Sequence, residues 1–303
     1  MHRIFRGSHT ARTVAASHFP QTAPIRDCRI SSLIPLIDVA KPSLASHASH
    51  LRAVHETLIR KGVLQLQLGF DDNESLYLRD LIYNLHLNHN HGLPITHSAE
   101  RGWFWDVRPS PSSFQSNAHQ ARSETMLLFD WHTDCSYETD PPRFFALQVL
   151  QPDRYNGGTL SVLNVDRILT LLSPFARKWL SQREYKITVP PEFVKKGGER
   201  HIVGNLLAAS GEEMHVGNLR FREDITVPLT QNASKALAEL KDVLKNDIVQ
   251  AETIHLRPEI LPRGSIIMMD NRRWLHSRNE VKDPERHLRR VRWDATQFGA
   301  YSP

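Results

Sequence analysis

The segment Phe129-Asp130-Trp131-His132-Thr133-Asp134 places a histidine and an aspartate two residues apart in a run that is typical of a β-strand. Side chains alternate between the two faces of a strand, so we expect His132 and Asp134 on the same face, ~7 Å apart along the backbone. There both side chains can reach one metal ion. The segment therefore predicts two ligands of a metal site on a β-strand.

A third ligand is expected from a neighbouring strand, and His276 lies just after the apolar run 265–269. Two imidazoles and one carboxylate on one face of an ion form the ligand set of non-haem iron(II) oxygenases, which leaves positions open for cosubstrate and dioxygen. A zinc hydrolase could use His132, Asp134 and His276 as well. A metal-free small-molecule-binding protein with a vestigial triad is the remaining alternative.

The residues around this segment predict a mainly β fold. Short apolar or alternating runs predict strands at 63–68, 103–108, 125–131, 143–150, 158–164, 185–190, 200–208, 213–221, 251–257, 264–270, 273–278 and 286–293. Apolar residues at helical spacing predict helices at 43–60, 73–89, 166–182 and 232–245. Many antiparallel strands with helices packed outside them favour a double-stranded β-helix, or jelly roll, over a parallel α/β sheet.

Composition limits the class of protein. With 303 residues, 40% of them hydrophobic, the chain can bury one large core, so we expect a single domain over 27–303. No run approaches the ~18 apolar residues that span a bilayer, which predicts no membrane partner. Two cysteines, Cys28 and Cys135, cannot build a disulfide framework, so nothing calls for an oxidising compartment.

The positive charge is concentrated at the N-terminus. Residues 1–26 contain four arginines and no acid, so they supply +4 of the net charge of +5 and leave +1 for the rest. A nucleic-acid-binding domain would carry its basic surface on the folded part, so we expect no nucleic-acid partner. We expect residues 1–26 to be a flexible basic tail and the protein to be cytoplasmic, with mitochondrial targeting by this tail left open. The sequence predicts no oligomeric state.

Together these motifs resemble the iron(II)/2-oxoglutarate-dependent dioxygenases of the taurine dioxygenase and clavaminate synthase-like (TauD/TfdA) superfamily. The resemblance covers about residues 100–295 and rests on these segments: Trp131-His132-Thr133-Asp134, Gly157-Gly158-Thr159-Leu160, His276 and Arg286-His287-Leu288-Arg289-Arg290. It implies a jelly roll that binds Fe(II) at His132, Asp134 and His276, with 2-oxoglutarate as cosubstrate and dioxygen as oxidant. The related halogenases replace the carboxylate ligand with a small residue so that halide can bind the iron, and this chain retains Asp134. The resemblance therefore excludes halogenation and leaves hydroxylation, desaturation or cyclisation as the reaction.

The resemblance also implies a site for 2-oxoglutarate. Thr159 lies 27 residues after His132, and Arg286 and Arg290 lie 10 and 14 residues after His276. In the family, a threonine and an arginine at such positions hold the distal carboxylate of the cosubstrate. The chemistry independently favours a bidentate arginine, because an unpaired carboxylate inside a barrel is very costly. The alternative is that these arginines are charged residues protecting an exposed sheet edge.

The resemblance further implies a substrate that bears a carboxylate, such as an amino acid or a metabolite derived from one. Ser123 precedes His132 by nine residues, close to a serine that contacts substrate in members acting on amino acids. Tyr137 flanks the metal site, and Arg222 replaces an acid that arginine-oxidising members use, which disfavours an arginine-like substrate. Arg290 lies ~13 Å from Arg286 along the strand, so we expect it to bind an acidic group of the substrate.

Overall fold

The computed structural model describes residues 33–96, 102–109, 120–194, 197–209 and 217–299. The predicted basic tail, residues 1–26, lies outside these ranges, so its flexibility stays a prediction, as does the domain boundary. In the described ranges the strands are β1 (Leu36–Val39), β2 (Val63–Leu68), β3 (Trp105–Val107), β4 (Phe129–His132), β5 (Pro142–Gln151), β6 (Leu160–Asn164), β7 (Tyr185–Thr188), β8 (His201–Gly204), β9 (Leu207–Ala209), β10 (Gly217–Leu219), β11 (Thr226–Pro228), β12 (Ile254–Leu256), β13 (Ser265–Asp270), β14 (Trp274–Arg278) and β15 (His287–Ala295).

Helices flank the strands. They are α1 (Ala48–Lys61), α2 (Leu76–His89), α3 (Val165–Leu171), α4 (Pro174–Leu180), α5 (Gln231–Lys245) and α6 (Asp247–Glu252), with short 3-10 helices at Pro42–Ser46, Arg122–Glu124, Pro191–Phe193 and Glu223–Ile225. No helix within the described ranges is both long enough and apolar enough to cross a membrane.

Two sheets form the centre of the fold. The larger one has the strand order β1-β2-β13-β5-β15-β3, and the smaller one has the order β12-β6-β14-β4. Phe145 and Ile267 from the larger sheet are buried in one cluster with Leu160, Val162 and Trp274 from the smaller one. The core therefore lies between two mainly antiparallel sheets, as expected for the jelly roll.

Helices cover the outer faces, which explains the continuous apolar runs in the central strands. Ile266 and Met268 of β13 pack against α1 and α2, whereas Ile267 and Met269 face the smaller sheet. A strand that is covered on both faces loses the polar alternation of a half-exposed strand. On the other side of the molecule, α3, α4 and α5 cover the smaller sheet at Leu275.

A glycine fixes the passage from α1 into the larger sheet. Gly62 ends α1 with φ of 70°, and its N–H donates to the Leu58 carbonyl at 2.8 Å. A Cβ at this position would lie 2.8 Å from Nε1 of Trp274. Both the backbone conformation and the close packing therefore require glycine.

The structure corrects several predicted element boundaries. Residues 125–128 are not strand, since β4 begins at Phe129, and the predicted helix 166–182 is two helices. Ser173 caps the second helix through its Oγ and Pro174 opens it, so the chain turns there. The predicted strand 200–208 is divided into β8 and β9, and the predicted strand 251–257 begins only at Ile254 because α6 extends to Glu252. β1, β11 and α6 were not predicted.

Candidate active site

Pairing of β14 with β4 brings the two histidines together. His276 lies directly opposite His132 in the antiparallel register, and Asp134 follows β4 in a turn. The Nε2 atoms of His132 and His276 lie 4.0 and 3.8 Å from Oδ1 of Asp134. The three ligand atoms lie within 4.8 Å of one another, and all three side chains are buried. This arrangement can hold one metal ion from one side.

The protonation states suit metal binding. Nδ1 of His132 lies 2.7 Å from the Asp130 carbonyl oxygen. If Nδ1 carries the proton and donates it to this oxygen, the lone pair of Nε2 is free to bind a metal ion. Burial, with His276 nearby, lowers the pKa of His132 well below its usual range, so the ring is neutral. Burial alone would raise the pKa of Asp134, but Arg290, His276 and Arg292 hold it well below its usual range. A neutral imidazole and an ionised carboxylate are the forms that bind metal.

Asn271 fixes the turn that carries Asp134. Its Oδ1 accepts a hydrogen bond from the Asp134 N–H at 2.7 Å, and its Nδ2 donates to the carbonyls of Asp134 and Pro142, each at 2.9 Å. The strand ends at His132, and Cys135 has φ of 53°. His132 and Asp134 therefore converge because of this turn, and the expectation of simple strand alternation was wrong.

Asp153 joins the two loops that carry the predicted 2-oxoglutarate residues. Its Oδ1 accepts from the N–H groups of Tyr155 and Gly157 at 2.8 and 3.1 Å. Its Oδ2 accepts from Lys282 and Asp283 at 2.8 and 3.1 Å. The segment before Thr159 is therefore held against the segment before Arg286.

Arg286 is a buried cation next to this junction. Its Nη2 lies 3.5 Å from the Gly158 carbonyl, while Nη1 has no hydrogen-bond partner among the residues that the structure describes. Burial, with Arg278 nearby, lowers the pKa of Arg286 to about 9. Gly158 has φ of 61°, and a Cβ there would lie 2.6 Å from the Arg286 Nε. A buried guanidinium therefore lies against Gly158, the residue before Thr159, with its Nη1 still able to donate, which fits the distal carboxylate of 2-oxoglutarate.

The arginines on β15 do not protect an exposed edge. Over Leu288–Arg290 the strand is paired with β5 on one side and β3 on the other. Arg290 is buried, and its Nη1 lies 3.3 Å from Oδ1 of Asp134. Arg289 points to the opposite face and bonds Asp106 at 3.0 Å. The sequence-based alternative of edge protection is therefore wrong for Arg290. Arg286 lies just before β15 rather than on it, and it is buried against Gly158.

The four candidate substrate residues line one pocket with His132 and Asp134: Ser123, Tyr137, Arg222 and Arg290. Cys135 and Arg292 line the same pocket. Tyr137 stacks on Phe193, with ring centroids 5.4 Å apart. Arg222 makes two hydrogen bonds of 2.8 Å to Asp224, so its charge is already paired. Cys135 is buried as expected, and its thiol contacts Arg292 and Tyr137, two residues that also line this pocket.

Sequence reasoning missed three polar residues of the site. These residues are Asn271, Arg278 and Arg292. Arg292 donates a hydrogen bond to the Cys135 thiol. Arg278 donates to the carbonyls of Ser123, Thr125 and Leu127 and so holds the loop that carries Ser123. The two-residue spacing of Arg290 and Arg292 on one strand was an available signal for Arg292. A larger cavity of about 940 Å³ is lined by Arg183, His201 and Arg220 and contains no residue of the triad.

A jelly roll with a buried His/Asp/His triad defines the class of non-haem iron(II) oxygenases. The chain belongs to the family described as taurine catabolism dioxygenase TauD, TfdA family, whose model matches residues 37–292. It is an iron(II)/2-oxoglutarate-dependent dioxygenase, as the sequence predicted.

Solved structures support the fold. An asparagine oxygenase in complex with Fe(II), 2S,3S-3-hydroxyasparagine and succinate matches with a TM-score of 0.65 and 18% identity, over 84% of this chain and 92% of that chain. The non-heme iron oxygenase OrfP in complex with Fe and alpha-ketoglutaric acid matches with a TM-score of 0.61 and 17% identity, over 87% of this chain and 94% of that chain. A sequence comparison with curated proteins gives no match.

Proposed function

We propose that this dioxygenase oxidises a carbon of a small molecule that bears a carboxylate, such as an amino acid or a metabolite derived from one. The observation that carries the proposal is the guanidinium of Arg290, buried beside the metal ligands. Two solved relatives are bound to hydroxylated amino acids, 3-hydroxyasparagine in one and (3S)-hydroxy-L-Arg in the other. These products favour hydroxylation among the reactions that the triad allows.

Arg290 is a candidate anchor for the substrate carboxylate even though it has a partner in this structure. The sequence argument that Arg290 needs a further anion is incomplete, because Nη1 already contacts Oδ1 of Asp134 at 3.3 Å. The same oxygen lies nearest to Nε2 of both histidines. A metal ion bound at this oxygen would compete with Arg290 for it. The Arg290 guanidinium would then be available to a substrate carboxylate.

Each residue of the site has a proposed role. When bound, iron(II) with 2-oxoglutarate and dioxygen supplies the oxidising power to break a substrate C–H bond. His132, Asp134 and His276 hold the metal, while Arg286 and Thr159 hold the distal carboxylate of 2-oxoglutarate. The rings of Phe129 and Phe145 pack on His132 and His276, with centroids 3.7 and 4.7 Å apart, and keep water from the ligand side. Ser123 and Tyr137 line the pocket in which the substrate is positioned.

The alternative functions are less well supported. A zinc hydrolase using the same triad would leave the buried Arg286 and the adjacent Thr159 without a role. A metal-free binding protein would have no reason to keep Asp134 ionised between two histidines. The family assignment agrees with the oxygenase.

Arg290→Ala tests the proposal. We expect iron and 2-oxoglutarate binding to be nearly intact, substrate binding to weaken by ~2–5 kcal/mol, and succinate formation to continue without oxidised product. Arg290→Lys, which keeps the charge, should retain part of the affinity. Product mass distinguishes hydroxylation, which adds one oxygen, from desaturation or cyclisation, which remove two hydrogens. If Arg290→Ala abolishes cosubstrate binding and Arg286→Ala does not, Arg290 is the 2-oxoglutarate anchor and the proposal fails.

A further inference from the structure

Asp153 is a buried carboxylate beside the predicted 2-oxoglutarate residues, and only 4% of it is exposed. Each of its two oxygens accepts two hydrogen bonds from backbone N–H groups, at 2.8–3.1 Å. The four donors are the N–H groups of Tyr155, Gly157, Lys282 and Asp283. Two of the donors precede Thr159 and the other two precede Arg286. Asp153 therefore bonds together the two segments that carry these residues.

A second contact between the same two segments lies nearer the surface. Asp283 forms a bidentate ion pair with Arg154, with distances of 2.6 and 2.8 Å, and about half of the Arg154 side chain is exposed. The N–H of Gly158 also donates to the Glu280 carbonyl at 2.8 Å. Half-exposed ion pairs contribute little to stability. We therefore expect the buried Asp153 to do more than the Arg154–Asp283 pair to keep the segments together.

The two segments are in close contact at a glycine. A Cβ at Gly157 would lie 2.6 Å from Oδ2 of Asp153 and 2.6 Å from the backbone nitrogen of Lys282. The next residue, Gly158, is packed against Arg286 in the same way. A small displacement at this contact would therefore move the Arg286 guanidinium relative to Thr159.

Asp153 is near Arg286 but does not pair with it. Burial and Arg278 lower the pKa of Arg286, and Asp153 acts in the opposite direction. Because both oxygens of Asp153 are bonded to backbone N–H groups, the carboxylate is held in place and does not turn towards the guanidinium. Nη1 of Arg286 keeps its capacity to donate to a ligand, since it has no partner among the described residues.

We propose that Asp153 is a positioning residue for 2-oxoglutarate, which sets the separation of Arg286 from Thr159 and thereby the selectivity for a 2-oxo acid with a distal carboxylate. This inference rests on the proposed roles of Arg286 and Thr159 and extends them to a residue that does not touch the cosubstrate. Asparagine cannot replace Asp153, because its amide nitrogen donates hydrogen bonds and cannot accept the two that reach one of the carboxylate oxygens.

The experiment compares 2-oxoglutarate with 2-oxopentanoate, which has the same number of carbons and lacks the distal carboxylate. Binding of each acid to the iron(II)-loaded protein under nitrogen is followed by the visible charge-transfer band. We expect the wild type to bind 2-oxoglutarate at least about 100-fold more tightly than 2-oxopentanoate. Asp153→Asn should reduce this ratio at least about tenfold by weakening 2-oxoglutarate alone, while the iron titration and the affinity for 2-oxopentanoate stay unchanged.

Gly157→Ala is an independent variant that separates the two segments while Asp153 is still present, so it also serves if Asp153→Asn does not fold. It should reduce the ratio in the same direction. Asp106→Asn is the matched control, because Asp106 accepts hydrogen bonds from His287 and Arg289 on the opposite face of β15. This control should leave the ratio at the wild-type value.

A wild-type ratio in Asp153→Asn or, if that variant does not fold, in Gly157→Ala overturns the inference. Equal weakening of both 2-oxo acids also overturns it, because Asp153 would then support the fold in general rather than the distal-carboxylate site. Failure of the proposed roles gives a different result. In that case the wild type would bind both acids equally, or Arg286→Leu would leave the ratio unchanged.

Discussion

Replacing Arg286 by leucine should make the protein more stable and a poorer enzyme at the same time. Burial lowers the pKa of Arg286 to about 9 even though Asp153 acts in the opposite direction. At ~1.4 kcal/mol per pH unit, keeping this guanidinium charged costs on the order of 5 kcal/mol relative to water. Leucine removes that cost, and part of the gain is lost with the packing of Arg286 on Gly158. We expect the free energy of unfolding without cosubstrate to rise by ~1–3 kcal/mol.

The same substitution should weaken 2-oxoglutarate binding by ~3 kcal/mol, or roughly 100-fold in apparent KM, because the distal carboxylate loses its charged partner. The assays are thermal unfolding with and without 2-oxoglutarate, and succinate formation as a function of 2-oxoglutarate concentration. Arg289→Leu is the control: it removes an ion pair with Asp106 on the other face, so it should lower stability and leave the KM unchanged. If Arg286→Leu lowers stability and leaves the KM unchanged, Arg286 is a structural residue and the reasoning is refuted.

Three further outcomes are expected. Thr159→Val should raise the KM for 2-oxoglutarate several-fold, at ~1 kcal/mol for one hydrogen bond, and a larger effect than that of Arg286→Leu would show that Arg286 is not the main anchor. Asn271→Ala removes three hydrogen bonds around Asp134 and should weaken iron binding ~10–100-fold by titration, so an unchanged affinity would contradict its positioning role. His91 accepts a hydrogen bond from Trp293 Nε1, and burial lowers its pKa to about 3. The unfolded chain binds this proton and the folded protein does not, so His91 should contribute up to ~1.4 kcal/mol per pH unit to the fall in stability, followed by denaturant unfolding, as pH drops from about 6.5 towards 3. The buried, neutral His132 adds to the same fall. His91→Gln should make the dependence less steep, and a variant with the slope of the wild type would count against it.

The sequence predicted the metal triad because its chemistry is local and specific. His132 and Asp134 are two residues apart, and His276 follows an apolar strand that could pair nearby. The three predicted side chains do come together in the structure, but the predicted reason for the convergence of His132 and Asp134 was wrong. The turn that brings Asp134 towards the histidines depends on Asn271, which is 137 residues away in the chain. Contacts over such separations leave no periodic pattern in a single sequence.

Arg292 was missed for a related reason. Whether a charged residue on a strand protects an edge or lines a cavity depends on the strands beside it and on what covers its face. β15 is enclosed by β5 and by the three residues of β3, a strand too short for its partner to be inferred. The split of the predicted helix 166–182 was readable, since Ser173-Pro174 is a common start of a helix.

Anaerobic titration of the protein with iron(II) in the presence of 2-oxoglutarate tests the central claim most directly. The weak visible charge-transfer band of the iron(II)/2-oxoglutarate complex should grow to an end point at one iron per chain. His132→Ala and His276→Ala should abolish this band while the folded structure, followed by circular dichroism, is retained. A wild-type protein that gives no band, or a band of full intensity in either histidine variant, would contradict the assignment of the triad as the iron site of a 2-oxoglutarate oxygenase.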